Sequence, residues 1–207
     1  MRNRYLYLFR QEPQVAAEWA TREIDVCSEH LLPLLLSQGI FQLGWALAEK
    51  GEVAEGIAKM EDGLERIRGT GSEMGMPYFV ALLGEAHARQ GDIERGQRLI
   101  EDAVAKAERT GAHFGYSEML RMKGELSMGA ASHDFGEAES CFSTAIKIAR
   151  GQQARLPELR AAVGLANLRK LQGRLDEGRT LVKSLYDWFS EGHDTADLRN
   201  AEAILKS

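Results

Sequence analysis

Gly44-Trp45-Ala46-Leu47-Ala48-Glu49-Lys50-Gly51-Glu52-Val53-Ala54-Glu55-Gly56-Ile57-Ala58-Lys59-Met60-Glu61-Asp62-Gly63 reads as the end of one helix, a tight turn at Gly51 and the start of a second helix. Small residues at 44, 56 and 63 fall where two such helices would cross. The pattern returns shifted by 40 as Gly84, Gly91, Gly96, Ile100 and Ala103. A third copy is Gly124, Ala138, Phe142 and Ala145, with two residues inserted in the turn. A fourth is Ala166, Gly173, Gly178, Val182 and Leu185. One helical hairpin per repeat, stacked on the next, is the signature of an α-solenoid.

The turn glycines give the same period independently. Gly51, Gly71, Gly91, Gly111, Gly151, Gly173 and Gly192 fall near every twentieth residue, and glycine is favoured just past a helix end. No stretch alternates with period two over a useful length, so no sheet is expected. The spacing predicts an all-α fold: an α-solenoid of antiparallel helical hairpins, period about 40, closed by a C-terminal capping helix. It predicts a single repeat domain over 1–207, with pairs at about 2–30, 33–68, 77–109, 116–150 and 157–190 and a cap at 195–205. Pro13, Pro33, Pro77 and Pro157 each open a helix, because the first turn needs no proline N–H. Asp92 is an expected N-cap, and Asp134 with Glu137 an expected capping box.

Composition narrows the function. Hydrophobic residues make up 44% and charged residues 28%, enough apolar material for a core. A net charge of -5 argues against direct nucleic-acid binding, which needs a concentrated basic face. No apolar run approaches the roughly 20 residues of a membrane span. The start, Met1 to Arg10, is basic and then apolar but lacks a small-residue cleavage site, and is taken as a helix. Cys27 and Cys141 stand far apart in alanine-rich helical settings, as two buried thiols would, which points to a cytoplasmic location. The N-terminal pair lacks a polar cap, so residues 2–27 are expected to fray or to mediate self-association.

The positions of small and large residues within each unit match tetratricopeptide repeats: Gly44, Leu47, Gly56, Met60 and Gly63, then Gly84, His87, Gly96, Ile100 and Ala103. The chain further resembles the C-terminal repeat region of large bacterial signalling proteins that join a class III adenylate/guanylate cyclase domain to a STAND-type ATPase. Some members carry a LuxR-type DNA-binding helix-turn-helix instead of the cyclase. Gly44 to Glu49, Lys123-Gly124-Glu125-Leu126 and above all Tyr186-Asp187-Trp188-Phe189-Ser190-Glu191-Gly192-His193-Asp194-Thr195-Ala196-Asp197-Leu198 carry that resemblance. It implies a sensor or scaffold arm in signal transduction. The alternative is an obligate fragment of a cyclase, or of an ATP-binding transcriptional regulator, active only with other domains.

No catalytic residue, cofactor site or metal site is expected. The phosphate loop Gly-x-x-x-x-Gly-Lys-Ser/Thr is missing from the sequence. The five histidines show no i, i+4 pair of the kind a helical metal site uses. Carboxylates such as Glu61, Asp62, Glu65, Glu101 and Asp102 lie beside Lys and Arg, as on solvated helix faces. The expected partner is a protein or peptide. In tetratricopeptide stacks the first helix of each pair lines a concave groove. Transferred unit by unit, that groove takes Gln38, Phe41 and Trp45; then Tyr78, Glu85 and Arg89; then Glu118, Arg121 and Glu125; then Arg160, Asn167 and Lys170. Phe41, Trp45 and Tyr78 are its expected anchors, with an all-core role as the competing reading for Trp45.

Overall fold

A computed structural model describes residues 6–129 and 135–207. Its described residues form eleven helices and no strand. The order is α1 (Leu6–Phe9), α2 (Pro13–Glu29), α3 (Pro33–Glu49), α4 (Val53–Gly69), α5 (Met76–Gln90), α6 (Ile93–Thr110), α7 (Tyr116–Gly129), α8 (Phe135–Gly151), α9 (Arg155–Leu171), α10 (Leu175–Tyr186) and α11 (Ala196–Lys206). The chain divides into two compact units, Met1–Thr110 and Gly111–Ser207. Among the described residues, no helix is long and apolar enough to cross a membrane.

In the first unit α3 packs on α2, α4 and α5, and α5 packs on α3, α4 and α6. In the second, α7 packs on α8 and α9, while α9 also meets α10 and α11. The first helix of each hairpin is therefore enclosed on several sides. The second helices α4, α6, α8 and α10 bury one apolar stripe each, such as Ile57, Met60, Leu64 and Ile67 on α4, and leave their charges in solvent.

Close approach of the paired helices rests on missing side chains. A Cβ on Gly44 would lie 2.6 Å from the Gly56 carbonyl oxygen, and one on Gly56 would lie 2.6 Å from both the Ala48 nitrogen and the Gly44 oxygen. These are backbone atoms that cannot step aside. Gly56→Ala should therefore lower stability by about 1–3 kcal/mol or more, the cost of overpacking. Gly69→Ala, with open space around it, should be neutral or slightly stabilising, since alanine is the better helix former. Urea titrations of the two variants check the pair. The third hairpin solves the crossing differently. The Phe142 ring, fully buried, fills the space left by two glycines, 3.0 Å from a Cβ built at Gly124 and 2.5 Å from one at Gly164.

Three boundaries depart from expectation. α9 begins at Arg155, two residues before Pro157, which still sits in the first turn where its N–H is not needed. At the α8–α9 turn the left-handed residue is Gln153 (φ 56°), not Gly151, which closes α8. α10 stops at Tyr186 rather than near 190, because the Trp188 and Phe189 amides turn back onto the Leu185 and Tyr186 carbonyls. Asp92 does cap α6, its Oδ1 accepting the Arg95 amide at 3.1 Å. The expected Asp134 cap and the turn that carries the two-residue insertion lie outside the described residues.

Candidate partner-binding face

Polar burial is segregated by helix. The described buried polar and charged side chains are Ser37, Gln38 and Gln42 on α3, His87 on α5, Ser117, Glu118, Arg121 and Ser127 on α7, Glu158 and Arg160 on α9, and Asp197 on α11. None belongs to α4, α6, α8 or α10. The first helices both pack and bury polar groups; the second helices bury apolar side chains and keep their polar groups at least partly in solvent.

Gln38, Tyr78, Glu118 and Arg160 occupy one repeat position, spaced by 40, 40 and 42. All four are buried. Trp45, Glu85, Glu125 and Asn167 occupy a second position with the same spacings. Trp45 is buried, Glu85 and Glu125 are half-buried and Asn167 is exposed. Arg89 and Lys170, near the ends of α5 and α9, are exposed.

Within the first unit the aromatic anchors need correcting. Phe41 is 0% exposed and packs on Phe79 with ring centroids 4.8 Å apart. It sits against the gap at Gly63, whose Cβ would fall 2.7 Å from the Phe41 amide. Trp45 is only 3% exposed. Both are core residues, because α3 is enclosed by α2, α4 and α5 rather than open on one side. Tyr78 is covered by Phe9 of α1, the rings 5.5 Å apart and 11° from parallel. Of the expected groove residues in this unit, only Glu85 and Arg89 reach solvent. Arg89 Nη1 donates to Glu49 Oε1 at 2.6 Å, a link between equivalent positions of successive repeats.

His87 is buried, with Nε2 3.7 Å from Glu61 Oε1, and Arg95 holds that same oxygen at 2.7 Å. Burial, then the Arg95 charge, pushes the imidazole below its ordinary value, against the opposing pull of Glu61 and Asp92. The neutral form is thus the folded form. Its contribution is full above about pH 6.5, imidazole's ordinary value, and declines as pH falls and the unfolded chain takes up the extra proton. Stability measured from pH 7 down to 5 should fall less steeply in His87→Gln than in the wild type.

The second unit holds an ionic network. Arg160 donates from Nε and Nη2 to Oδ1 and Oδ2 of Asp197, both at 2.7 Å. Its Nη1 stands 3.5 Å from Glu118 Oε2. Arg121 Nε donates to the same Glu118 oxygen at 3.1 Å, and its Nη1 to Glu125 Oε2 at 2.6 Å. Burial opposes the charge on Arg160, but Glu118 and the Asp197 hydrogen bonds outweigh it and hold the guanidinium above its ordinary value. Glu118, Arg121 and Arg160 are thus brought together, but as an interior network; Glu125, Asn167 and Lys170 reach the surface.

Sequence reasoning missed Asp197 and Glu158. Asp197 lies within the Tyr186 to Leu198 run that carries the resemblance, but its pairing with Arg160 could not be read from that run. Glu158, fully buried, accepts from Arg150 at 2.8 Å and Arg155 at 3.0 Å. The same motif sets Trp188 in solvent, edge-on to Phe189 and 5.6 Å beneath the Arg155 guanidinium. Cys27 and Cys141 are buried thiols, not joined in a disulfide. Among the described residues no group of three or more His, Cys, Asp or Glu is placed to hold a metal.

Several solved structures share this architecture. The crystal structure of BtubC (BKLC) from P. vanneervenii superposes with a TM-score of 0.70 at 13% identity, covering 94% of this chain and 89% of its own. A kinesin light chain protein with nearly identical TPR-like repeats from Podosopora anserina gives 0.56 at 16%, covering 98% and 92%. A Rap protein complexed with competence and sporulation factor gives 0.65 at 12%, covering 97% of this chain and 60% of that one. The fold is that of TPR-like repeat proteins. No protein-family model matches the chain, and no curated protein matches it.

Proposed function

We propose that this chain is a non-catalytic module that binds a protein or peptide through the first helices of its hairpins. The observation that carries the proposal is the segregation of polar burial. Among the described residues, eleven polar or charged side chains are buried, on α3, α5, α7, α9 and α11, and none on the second helices. A stack built only for stability would be expected to fill both layers with apolar groups, because a buried ion pair is often no more stable than a packed apolar replacement. Within each unit, buried polar groups on the same helices as surface residues (Glu85 and Arg89 in the first, Glu125, Asn167 and Lys170 in the second) support selective recognition. The Rap structure, crystallised with competence and sporulation factor, supports a peptide or small protein as the class of partner.

The finer reading, a regulatory arm of a bacterial cyclase/ATPase signalling protein, rests on the Tyr186 to Leu198 motif. Translating the gene region upstream of Met1 checks it: an in-frame ATPase with a cyclase supports it, and a free-standing gene overturns it. Two buried thiols not joined by a disulfide support a cytoplasmic location. Self-association through the N-terminal pair is supported by the exposed Trp19, Val26 and Leu31, and concentration-independent sedimentation as a monomer would count against it.

The test of the binding face uses the full chain as bait. Arg89→Glu and Lys170→Glu, both at exposed positions, should each weaken the captured partner at least about tenfold, within the range of interfacial hot spots. The thermal melt of Lys170→Glu should match the wild type, and that of Arg89→Glu should fall only slightly, by the roughly 1 kcal/mol scale of its surface pair with Glu49. A partner retained at full strength by both variants, with folds intact, excludes the first-helix face.

A further inference from the structure

Glu158 is fully buried, and a buried carboxylate needs a cation to hold its charge. It has two. Arg150 Nε, in the last turn of α8, donates to Oε1 at 2.8 Å, and Arg155 Nη1, at the start of α9, donates to Oε2 at 3.0 Å. One arginine would neutralise the carboxylate, so the second leaves a surplus positive charge. The network around Arg160 has the opposite balance, with Glu118, Glu125 and Asp197 set against Arg121 and Arg160.

The two guanidiniums are fixed in place but not used up. Main-chain bonds from the amides of Gln152, Gln153 and Ala154 to the carbonyls of Ile148, Arg150 and Ala149 hold the turn between them. The Arg155 guanidinium carbon lies 5.6 Å from the Trp188 ring centre, a restraint from a second side. Yet the Arg150 and Arg155 side chains are 61% and 40% exposed, and neither has another acceptor among the described residues. Asp187, next to Trp188 in sequence, is paired with Lys183 at 2.9 Å instead.

We propose that Arg150 and Arg155 form an oxyanion site of the second unit, and that the group it takes is a phosphate monoester or free phosphate. A guanidinium presents its N–H groups as a planar fork, and two forks on one anion suit the three terminal oxygens of a phosphate better than the two of a carboxylate. Two cations also gain most from a doubly charged ligand. Glu158 is then the positioning residue. It orders two long side chains before the ligand arrives, so binding does not bear the full entropic cost of ordering them. The site goes beyond the peptide-binding reading above and does not depend on it.

An NMR titration of the full chain at constant ionic strength tests it, with inorganic phosphate, N-acetyl-phosphoserine amide and N-acetyl-glutamate amide as probes. Both phosphates should give saturable shifts at millimolar concentration in the Trp188 indole N–H and in the amides of residues 150–156. Phosphoserine binding more tightly than inorganic phosphate assigns the group to a modified polypeptide, and equal affinity assigns it to free phosphate; either supports the site. The glutamate probe should bind at least about tenfold more weakly than phosphoserine, and Arg150→Gln should weaken phosphate by a similar factor, the loss of a charged hydrogen bond. Arg150→Gln leaves Arg155 to balance Glu158. Arg150→Lys, which keeps that balance whatever the glutamine does to the fold, should weaken phosphate in the same direction. Arg199→Gln, at an exposed position on α11, should change nothing. No saturable shift in the wild type, equal binding of the glutamate probe, or unchanged affinity in both Arg150 variants overturns the proposal.

Discussion

Replacing Arg160 with alanine is expected to lower folding stability by about 3–5 kcal/mol, the cost of breaking a buried ion pair from one side. The variant leaves Asp197 and Glu118, both buried, without the guanidinium that now faces them. The loss is not the worth of the pair. Most of it is the penalty of stranding a carboxylate that water cannot reach. Two further variants separate these contributions. Arg160→Lys should recover only part of the loss, because an ammonium cannot make the two parallel bonds to Asp197. Arg160→Met with Asp197→Leu should come close to the wild type, since well-packed apolar replacements of buried pairs are often neutral. Urea denaturation of the wild type and the three variants compares these outcomes directly. A loss below about 1 kcal/mol for the alanine variant would show that this network is open to water, as surface pairs are.

Trp45→Ala should be as damaging, about 3–5 kcal/mol, the range for large aromatic truncations in a core. The indole is 3% exposed on a helix enclosed by α2, α4 and α5. The variant should show a lowered midpoint in denaturant, and any loss of partner should track the loss of fold. Trp188→Ala is the matched control. That indole is 61% exposed, and its contact with Arg155 is a surface one, so its removal should change stability little. Trp45→Ala with unchanged stability and weakened binding would return Trp45 to the binding surface.

The hairpins were legible because their cause is local. A left-handed glycine just past a helix, repeated near every twentieth residue, sets where helices stop, and the small residues at 44, 56 and 63 set where they cross. Where the local signal was shared between candidates the reading slipped. Gly151 and Gln153 stand two residues apart at one turn, and it is Gln153 that reverses the chain. For the candidate site, the repeat positions could be read from the sequence, but the exposure of their side chains could not. Positions 38, 78, 118 and 160 share one place in the sequence repeat, yet all four side chains are buried. Whether Arg160 faces water depends on Asp197, 37 residues further along and on the capping helix. Whether Tyr78 does depends on Phe9, which lies outside the repeat pattern altogether. No periodicity carries such information, since it concerns a partner that the repeat does not contain.

The central claim, that the first helices and not their mates meet the partner, is tested most directly by site-specific photocrosslinking in the full chain. Photoreactive side chains would be placed singly at Arg89, Asn167 and Lys170 on first helices, and at Glu65, Glu101 and Lys147 on second helices, all six exposed positions. Crosslinks to a partner of one defined mass from the first set, with none from the second, are the predicted result. Crosslinks confined to Glu65, Glu101 and Lys147 would contradict it.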